Sequence, residues 1–344
     1  MGMERLLPFA GMVMAILIQA GSLVLNKAAM SKGVNKYTMI VYANALSTLL
    51  LLPFSFVVHR PSVRPPLTFP TLCRLFLLGL FGCSAQIFAY VGVDYSSPML
   101  GTAMLNLIPA FTFLLAIIFR MENVYWKRSS SQAKILGTIT SITGAFVVTL
   151  YKGPPVLDVP SSPTQFLFSL KHSNWIAGGL FLAADAFFTS LWYILQALTV
   201  EKYPAVVFIV FFQCLFTTIL SAAFALIAIK DANAWQLRLD MGLIAILYTG
   251  IISTVLRYSL VTWCVWKAGA VYCSMFKPLA IIFGVIMGFI FLGDSVYLGS
   301  LVGAIIIVTG FYAVMWGKAR ELENLDDEDP SSVGDNKLPL LQNK

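Results

Sequence analysis

Apolar residues fall along the chain in ten long blocks, roughly 6–26, 37–58, 75–94, 98–119, 135–151, 175–197, 205–229, 241–265, 270–292 and 296–316, separated by short clusters of charged residues, Gly and Pro. A helix needs about 20 predominantly apolar residues to cross the hydrocarbon core, and a helix satisfies its own backbone hydrogen bonds there. The pattern predicts an all-α integral membrane protein with ten transmembrane helices. The first block is too long for the apolar core of a signal peptide and has Glu4 beside Arg5 on its flank, so it is expected to stay as the first span.

The blocks repeat. Gly137-Thr-Ile-Thr-Ser-Ile-Thr-Gly144 in the fifth block matches Gly303-Ala-Ile-Ile-Ile-Val-Thr-Gly310 in the tenth at four of eight positions. Upstream of each lies a proline-bearing block, with Asn106-Leu-Ile-Pro109 in the fourth and Phe276-Lys-Pro278 in the ninth, and each closes on an acid after Phe, Glu122 and Asp294. Lys36-Tyr37 before the second block answers Lys202-Tyr203 before the seventh, and the same offset sets Gln19 opposite Asp185. Five helices are thus doubled, with residues 1–153 as a first repeat, 154–174 as a loop, 175–317 as a second repeat and 318–344 as a tail. An odd number of spans makes the second copy enter the membrane from the opposite face. Inverted repeats of this type mark secondary transporters, whose site lies near midplane between the halves.

The glycine pattern, which includes Gly284-x-x-x-Gly288 and Gly299-x-x-x-Gly303, reads as close helix packing, either within one chain or between copies in a homo-oligomer. Pro109 and Pro278 each remove an intrahelical hydrogen bond mid-span. Each is expected to kink its helix against protein or a wet cavity.

Composition excludes water as the solvent: 58% of residues are hydrophobic and 11% charged, with a mean hydropathy of +0.82, whereas soluble domains are about a quarter charged. The net charge of +7 belongs to membrane topology, because no basic helix or aromatic-basic strip suited to nucleic acid is present. One set of loops collects Arg5, Arg60, Arg64, Arg74, Arg120, Lys127, Arg128, Lys134, Lys202, Lys267, Lys318 and Arg320, twelve in all against seven in the other. That excess places both termini in the cytoplasm. After Gly317 the acids Glu321, Glu323, Asp326, Asp327, Glu328 and Asp329 predict a solvated, disordered tail.

An enzyme has little to work with. Cys73, Cys83, Cys214, Cys264 and Cys273 show no pairing or metal spacing and read as packed thiols, while His59 and His172 lie apart in loops. No cofactor or metal is expected, and no nucleotide-binding loop of the Gly-x4-Gly-Lys-Ser/Thr type occurs.

Three charges lie inside the oily blocks. Asp185 is about ten residues into its span, roughly 15 Å deep and near midplane, and Arg257 and Lys277 flank the Lys267-Ala-Gly-Ala turn at similar depth. A charge near the bilayer centre costs at least about 2.5–3.5 kcal/mol, so such groups face a bundle interior or a wet cavity. Two cations against one acid leave an excess positive charge that a solute carboxylate would neutralise, gripped by Arg257 and met by Lys277 as a point charge. An internal Asp185 ion pair, or Lys277 reaching out to the interface, is the structural alternative. Around them stand Gln19, Asn26, Gln86, Asn106 and Gln213, as interhelical glue or solute path, with Trp263, and with Trp192 placed to floor an apolar pocket. The substrate-path candidates are Gln19, Asn26, Gln86, Asn106, Asp185, Trp192, Arg257 and Lys277. A membrane receptor or scaffold would use the same helices around a closed interior.

Several stretches together resemble the plant drug/metabolite exporters with paired EamA modules, the nodulin-21-like or walls-are-thin-related proteins. They are Leu25-Asn-Lys-Ala-Ala-Met-Ser-Lys-Gly33, Arg120-Met-Glu-Asn-Val124, Ser131-Gln-Ala-Lys-Ile-Leu-Gly-Thr138, Thr149-Leu-Tyr-Lys-Gly153 and Phe276-Lys-Pro-Leu279. The resemblance, which covers nearly everything up to Lys318, implies a ten-helix bundle of two inverted repeats around a central cavity. It also implies movement of amino acids, with auxin-type export in one branch, at the plasma membrane or the vacuolar membrane. Lys277, before the proline of the ninth span, and Asp294 depart from residues common in that family, Asn and Glu.

Overall fold

The computed structural model describes residues 2–58, 68–95, 104, 106–121, 129–151, 153–157, 175–230, 232–236, 241–292 and 296–328. Each apolar block carries a helix in its described part. The first repeat holds α1 (Gly2–Ser31), α2 (Lys36–Val58), α3 (Phe69–Tyr95), α4 (Ile108–Ile118) and α5 (Ser129–Leu150). The second holds α6 (Trp175–Lys202), α7 (Val206–Ala228), α8 (Met241–Ala268), α9 (Ala270–Ser274), α10 (Leu279–Met287) and α11 (Leu298–Glu328). Among the described residues, seven helical stretches are long and apolar enough to cross a membrane, and Ile108–Ile118 and Leu301–Gly317 are shorter apolar helices.

The distribution of side chains is that of a protein surrounded by lipid. Ile176 and Ile227 are 82% and 81% exposed, while Asn106, Asp185, Gln196, Gln213 and Thr262 are buried. Helices pack mainly across the two repeats: α3 on α6, α2 on α7, α1 on α8 and α10, and α5 on α11.

The α5–α11 pair settles how the glycine motif works. A side chain begun at Gly137 would meet the Gly310 carbonyl oxygen at 2.6 Å, and one begun at Gly144 would meet the Gly303 carbonyl oxygen at 2.9 Å. The two matching octapeptides therefore pack on each other, head to tail, within one chain. Exchanging the repeats turns the first contact into the second, which is the reciprocity of a two-fold axis. Ser141 Oγ donates to Ile307 O at 3.3 Å between these glycines. Next to the brace, Pro155–Leu157 pairs antiparallel with Val296–Tyr297, tying the loop after α5 to the start of α11.

Both prolines stand at breaks rather than in smoothly kinked helices. Pro109 is in the first turn of α4, preceded by a turn at Asn106 and Leu107. Before Pro278, residues 275–278 form a turn between α9 and α10. The Ser274 carbonyl, which Pro278 cannot bond, is taken by the Lys277 N–H at 3.0 Å, and Leu279 N donates to Phe276 O at 3.0 Å. This tightened backbone is the economical way to satisfy groups that proline orphans.

One sequence expectation is corrected. Helix α11 runs past Gly317 to Glu328, where a disordered tail was expected to begin, and Arg320 lies 5.1 Å from the Trp316 ring. Lys, Arg, Glu and Leu are good helix formers, and extending an existing helix needs no new nucleus. Residues 329–344 lie outside the described residues, as do Glu122, Asp294, His59 and His172.

Candidate functional site

Four of the eight candidate residues converge. Lys277, on the break between α9 and α10, donates from Nζ to Gln19 Oε1 of α1 at 3.2 Å. Its Nζ also stands 5.8 Å from the centre of the Tyr193 ring on α6. Asp185, about two turns back along the same face of α6, is buried and accepts a hydrogen bond from Thr189 Oγ1 at 3.3 Å. Lys277 lies within Coulombic range of both Asp185 and Arg257. Gln19 and Asp185, matched by the repeat, thus both address the same ammonium group, one through a hydrogen bond and the other through space.

Arg257 is positioned by an unusual backbone. Tyr248–Leu256 is π-helical, and Arg257 is the residue at which α-helical winding resumes. Wider π turns occur mostly where a function needs a side chain re-aimed. Arg257 Nε donates to Ser253 O at 3.0 Å, and its guanidinium carbon stacks 4.3 Å from the Tyr258 ring. The Nε bond fixes the plane of the fork.

Trp192 joins the two halves of this arrangement. Its ring lies 5.0 Å from Tyr193 and 5.7 Å from Tyr258, so it touches the aromatic neighbour of each cation. Gln86 on α3 has a buried Oε1 without a hydrogen-bond partner among the described residues, as do Trp192 Nε1 and Gln213 Oε1. Asn106 is buried in the turn that opens α4.

Asn26 is placed otherwise. Two turns and about 10 Å along α1 from Gln19, it forms a triangle with Ser22 and Thr249: Thr249 Oγ1 donates to Asn26 Oδ1 at 3.0 Å, and Asn26 Nδ2 donates to Ser22 Oγ at 3.4 Å. That triangle joins α1 to the π-helical part of α8. A separate small pocket lined by Lys134, Val271, Tyr272, Met275, Val314 and Met315 lies against the α5–α11 brace.

Sequence reasoning missed Thr189 and Tyr193. The signal was present as helical spacing, since Asp185, Thr189, Trp192, Tyr193 and Gln196 fall along one stripe of α6. Within the same stripe Gln196 Nε2 donates to Thr262 Oγ1 of α8 at 2.5 Å. The four thiols placed within or beside apolar runs, Cys83, Cys214, Cys264 and Cys273, are buried and unpaired, and Cys73 is exposed.

The likenesses to known proteins agree with this construction. A solved crystal structure superposes with a TM-score of 0.68, covering 92% of this chain and 98% of its own at 16% identity, which speaks to the fold alone. Three WAT1-related proteins of Arabidopsis thaliana are similar over nearly their whole length. One is 42% identical over 98% of this chain and 96% of its own, a second 44% identical over 97% and 91%, and a third 42% identical over 97% and 93%. The model of the EamA-like transporter family matches twice, at residues 8–150 and 176–316. With one match on each helical repeat, the chain belongs to the EamA-like transporter family and is a multi-pass membrane transporter, not an enzyme.

Proposed function

We propose that this protein is a secondary transporter that moves amino acids in either direction across a plant plasma membrane or vacuolar membrane. Access alternates as α1–α4 rock against α6–α10, with α5 and α11 as the brace. The observation that carries the reading is the hydrogen bond from Lys277 Nζ of one repeat to Gln19 Oε1 of the other, with Asp185 and Arg257 close enough to act on the same charge. Two cations and one acid leave one positive charge that an α-carboxylate neutralises on binding. The Nη1/Nη2 edge of Arg257 suits a two-point grip, because Nε is already engaged. Asp185 then stands where an α-ammonium group finds a partner. The Lys and Arg distribution supports both termini in the cytoplasm, with residues 1–153 and 175–317 as the two repeats.

A second reading, export of auxin or another small anionic metabolite, draws on the stacked rings of Phe88 with Phe181 and Phe188, at 5.9 and 5.5 Å, on the same α3–α6 interface as Gln86. Purified protein in vesicles loaded in parallel with labelled amino acids and a labelled indole carboxylate separates the two. Amino-acid exchange that is lost in Lys277→Ala and Arg257→Ala supports the first reading. Unchanged exchange in variants that reach the membrane removes the carboxylate clamp.

A further inference from the structure

Gly79 and Gly82 lie three residues apart on α3, yet they are surrounded differently. A side chain begun at Gly79 would strike Phe216 Cβ at 2.5 Å, so that glycine exists for close packing against α7. At Gly82 the neighbours stand back: Trp192 Cδ1 at 3.8 Å, Trp192 Nε1 at 4.0 Å and Gln213 Nε2 at 4.0 Å from where Cβ would be. Packing does not demand a glycine here, and helix propensity argues against one. What Gly82 leaves is room for about a methyl group, bordered by the indole of Trp192 and the carboxamide of Gln213.

Both side chains are deeply buried, Trp192 to 6% and Gln213 to 2% exposure. Trp192 Nε1 and Gln213 Oε1 have no hydrogen-bond partner among the described residues, and neither does Gln86 Oε1, one turn beyond Gly82 on α3. Buried polar atoms in native interiors are nearly always paired, so these three orphans, on α3, α6 and α7, call for a group that pairs them. The inventory sets its chemistry. Gln213 offers adjacent acceptor and donor, Trp192 a donor only, and Gln86 a further acceptor. A carboxylate has no proton for the two glutamine oxygens, and an alkyl group has neither donor nor acceptor.

We propose that Gln86, Trp192 and Gln213 around Gly82 form a subsite for a neutral carboxamide, the side-chain end of a solute. Its carbonyl oxygen accepts from Trp192 Nε1 and Gln213 Nε2, and its two N–H groups donate to Gln213 Oε1 and Gln86 Oε1. This deepens the amino-acid reading and rests on it for the other end of the solute. Trp192 is the link, since it touches Tyr193 and Tyr258, the rings beside Lys277 and Arg257. The solute class is thus amino acids with an amide side chain.

The test uses the full chain in vesicles, with labelled glutamine and leucine exchange measured for the wild type, Trp192→Phe, Gln213→Leu and Gly82→Ala. The alanine methyl sits at ordinary contact distance, so that variant folds while taking up that room. The ratio of glutamine to leucine flux is expected to fall at least about tenfold in each, because a site built on hydrogen bonds discriminates strongly. Glutamine and leucine falling together, or neither falling, overturns the subsite. In detergent, propionamide is expected to raise the melting temperature of the wild type but not of Gln213→Leu, and propionate to do neither. Propionamide protection without amino-acid flux rejects the amino-acid reading and keeps the amide subsite. Flux without protection rejects the subsite alone.

Discussion

Lys277 Nζ and Gln19 Oε1, 3.2 Å apart, join the broken helix of the second repeat to the first helix of the first repeat. The bond holds a lysine whose positive charge Arg257 opposes and Asp185 favours.

Gln19→Glu tests whether that charge binds the solute. The new carboxylate would take the amide's place against Lys277 and convert a neutral acceptor into a charge-assisted one. The fold is expected to hold or gain stability, while KM for a carboxylate solute rises at least about tenfold as the internal acid competes with it. Thermal melting and exchange kinetics on one preparation decide it. Unchanged KM in a folded variant would show that the solute does not meet Lys277.

The brace is tested at its glycines. A Gly310 side chain would lie 2.5 Å from Ser141 N and Oγ, whereas one at Gly284 meets nothing within 4 Å. Gly310→Ala is therefore expected to cost about 1–3 kcal/mol by forcing α5 and α11 apart. Gly284→Ala should be neutral or stabilising by up to about 1 kcal/mol. Equal melting temperatures for the two variants would contradict the antiparallel contact.

Much of the architecture was legible because lipid imposes it. The apolar blocks, the doubled Gly octapeptide and the two prolines follow from hydrogen-bond closure and close packing, and among the described residues they appear as helices, a contact and breaks. The roles of individual amides were not legible. Gln19 and Asn26 lie on one face of α1 with the same chemistry, and only what faces them, Lys277 or Thr249, separates them. Tyr193 looked like one more aromatic in an oily helix, and nothing in Tyr248–Leu256 announced a π-helical turn before Arg257. The space at Gly82 depends on how far Trp192 and Gln213 stand back, a property of three helices at once.

Asn26 and Thr249 form a structural link, to be read by a double-mutant cycle. Asn26→Ala and Thr249→Val are each expected to destabilise by about 0.5–1.5 kcal/mol, with a coupling energy of about 0.6 kcal/mol, the usual scale for hydrogen bonds between membrane helices. Selectivity among solutes should not change. A shift in selectivity without loss of stability would move Asn26 from the scaffold into the solute path.

Pro278→Ala separates the broken helix from the charge it carries. Pro278 lacks the N–H that would reach the Ser274 carbonyl, and Lys277 N occupies that carbonyl instead at 3.0 Å. Restoring the N–H lets α9 and α10 join as one helix, worth up to about 3 kcal/mol in helical stability. Regular winding would turn Lys277 away from its tightened position, and so away from Gln19. The expected outcome is a protein that melts higher and transports less, a combination that loss of packing cannot produce. Lys277→Ala alone should lower transport without raising the melting temperature. If Pro278→Ala is more stable and transports normally, the break is a packing device, and the placement of Lys277 does not depend on it.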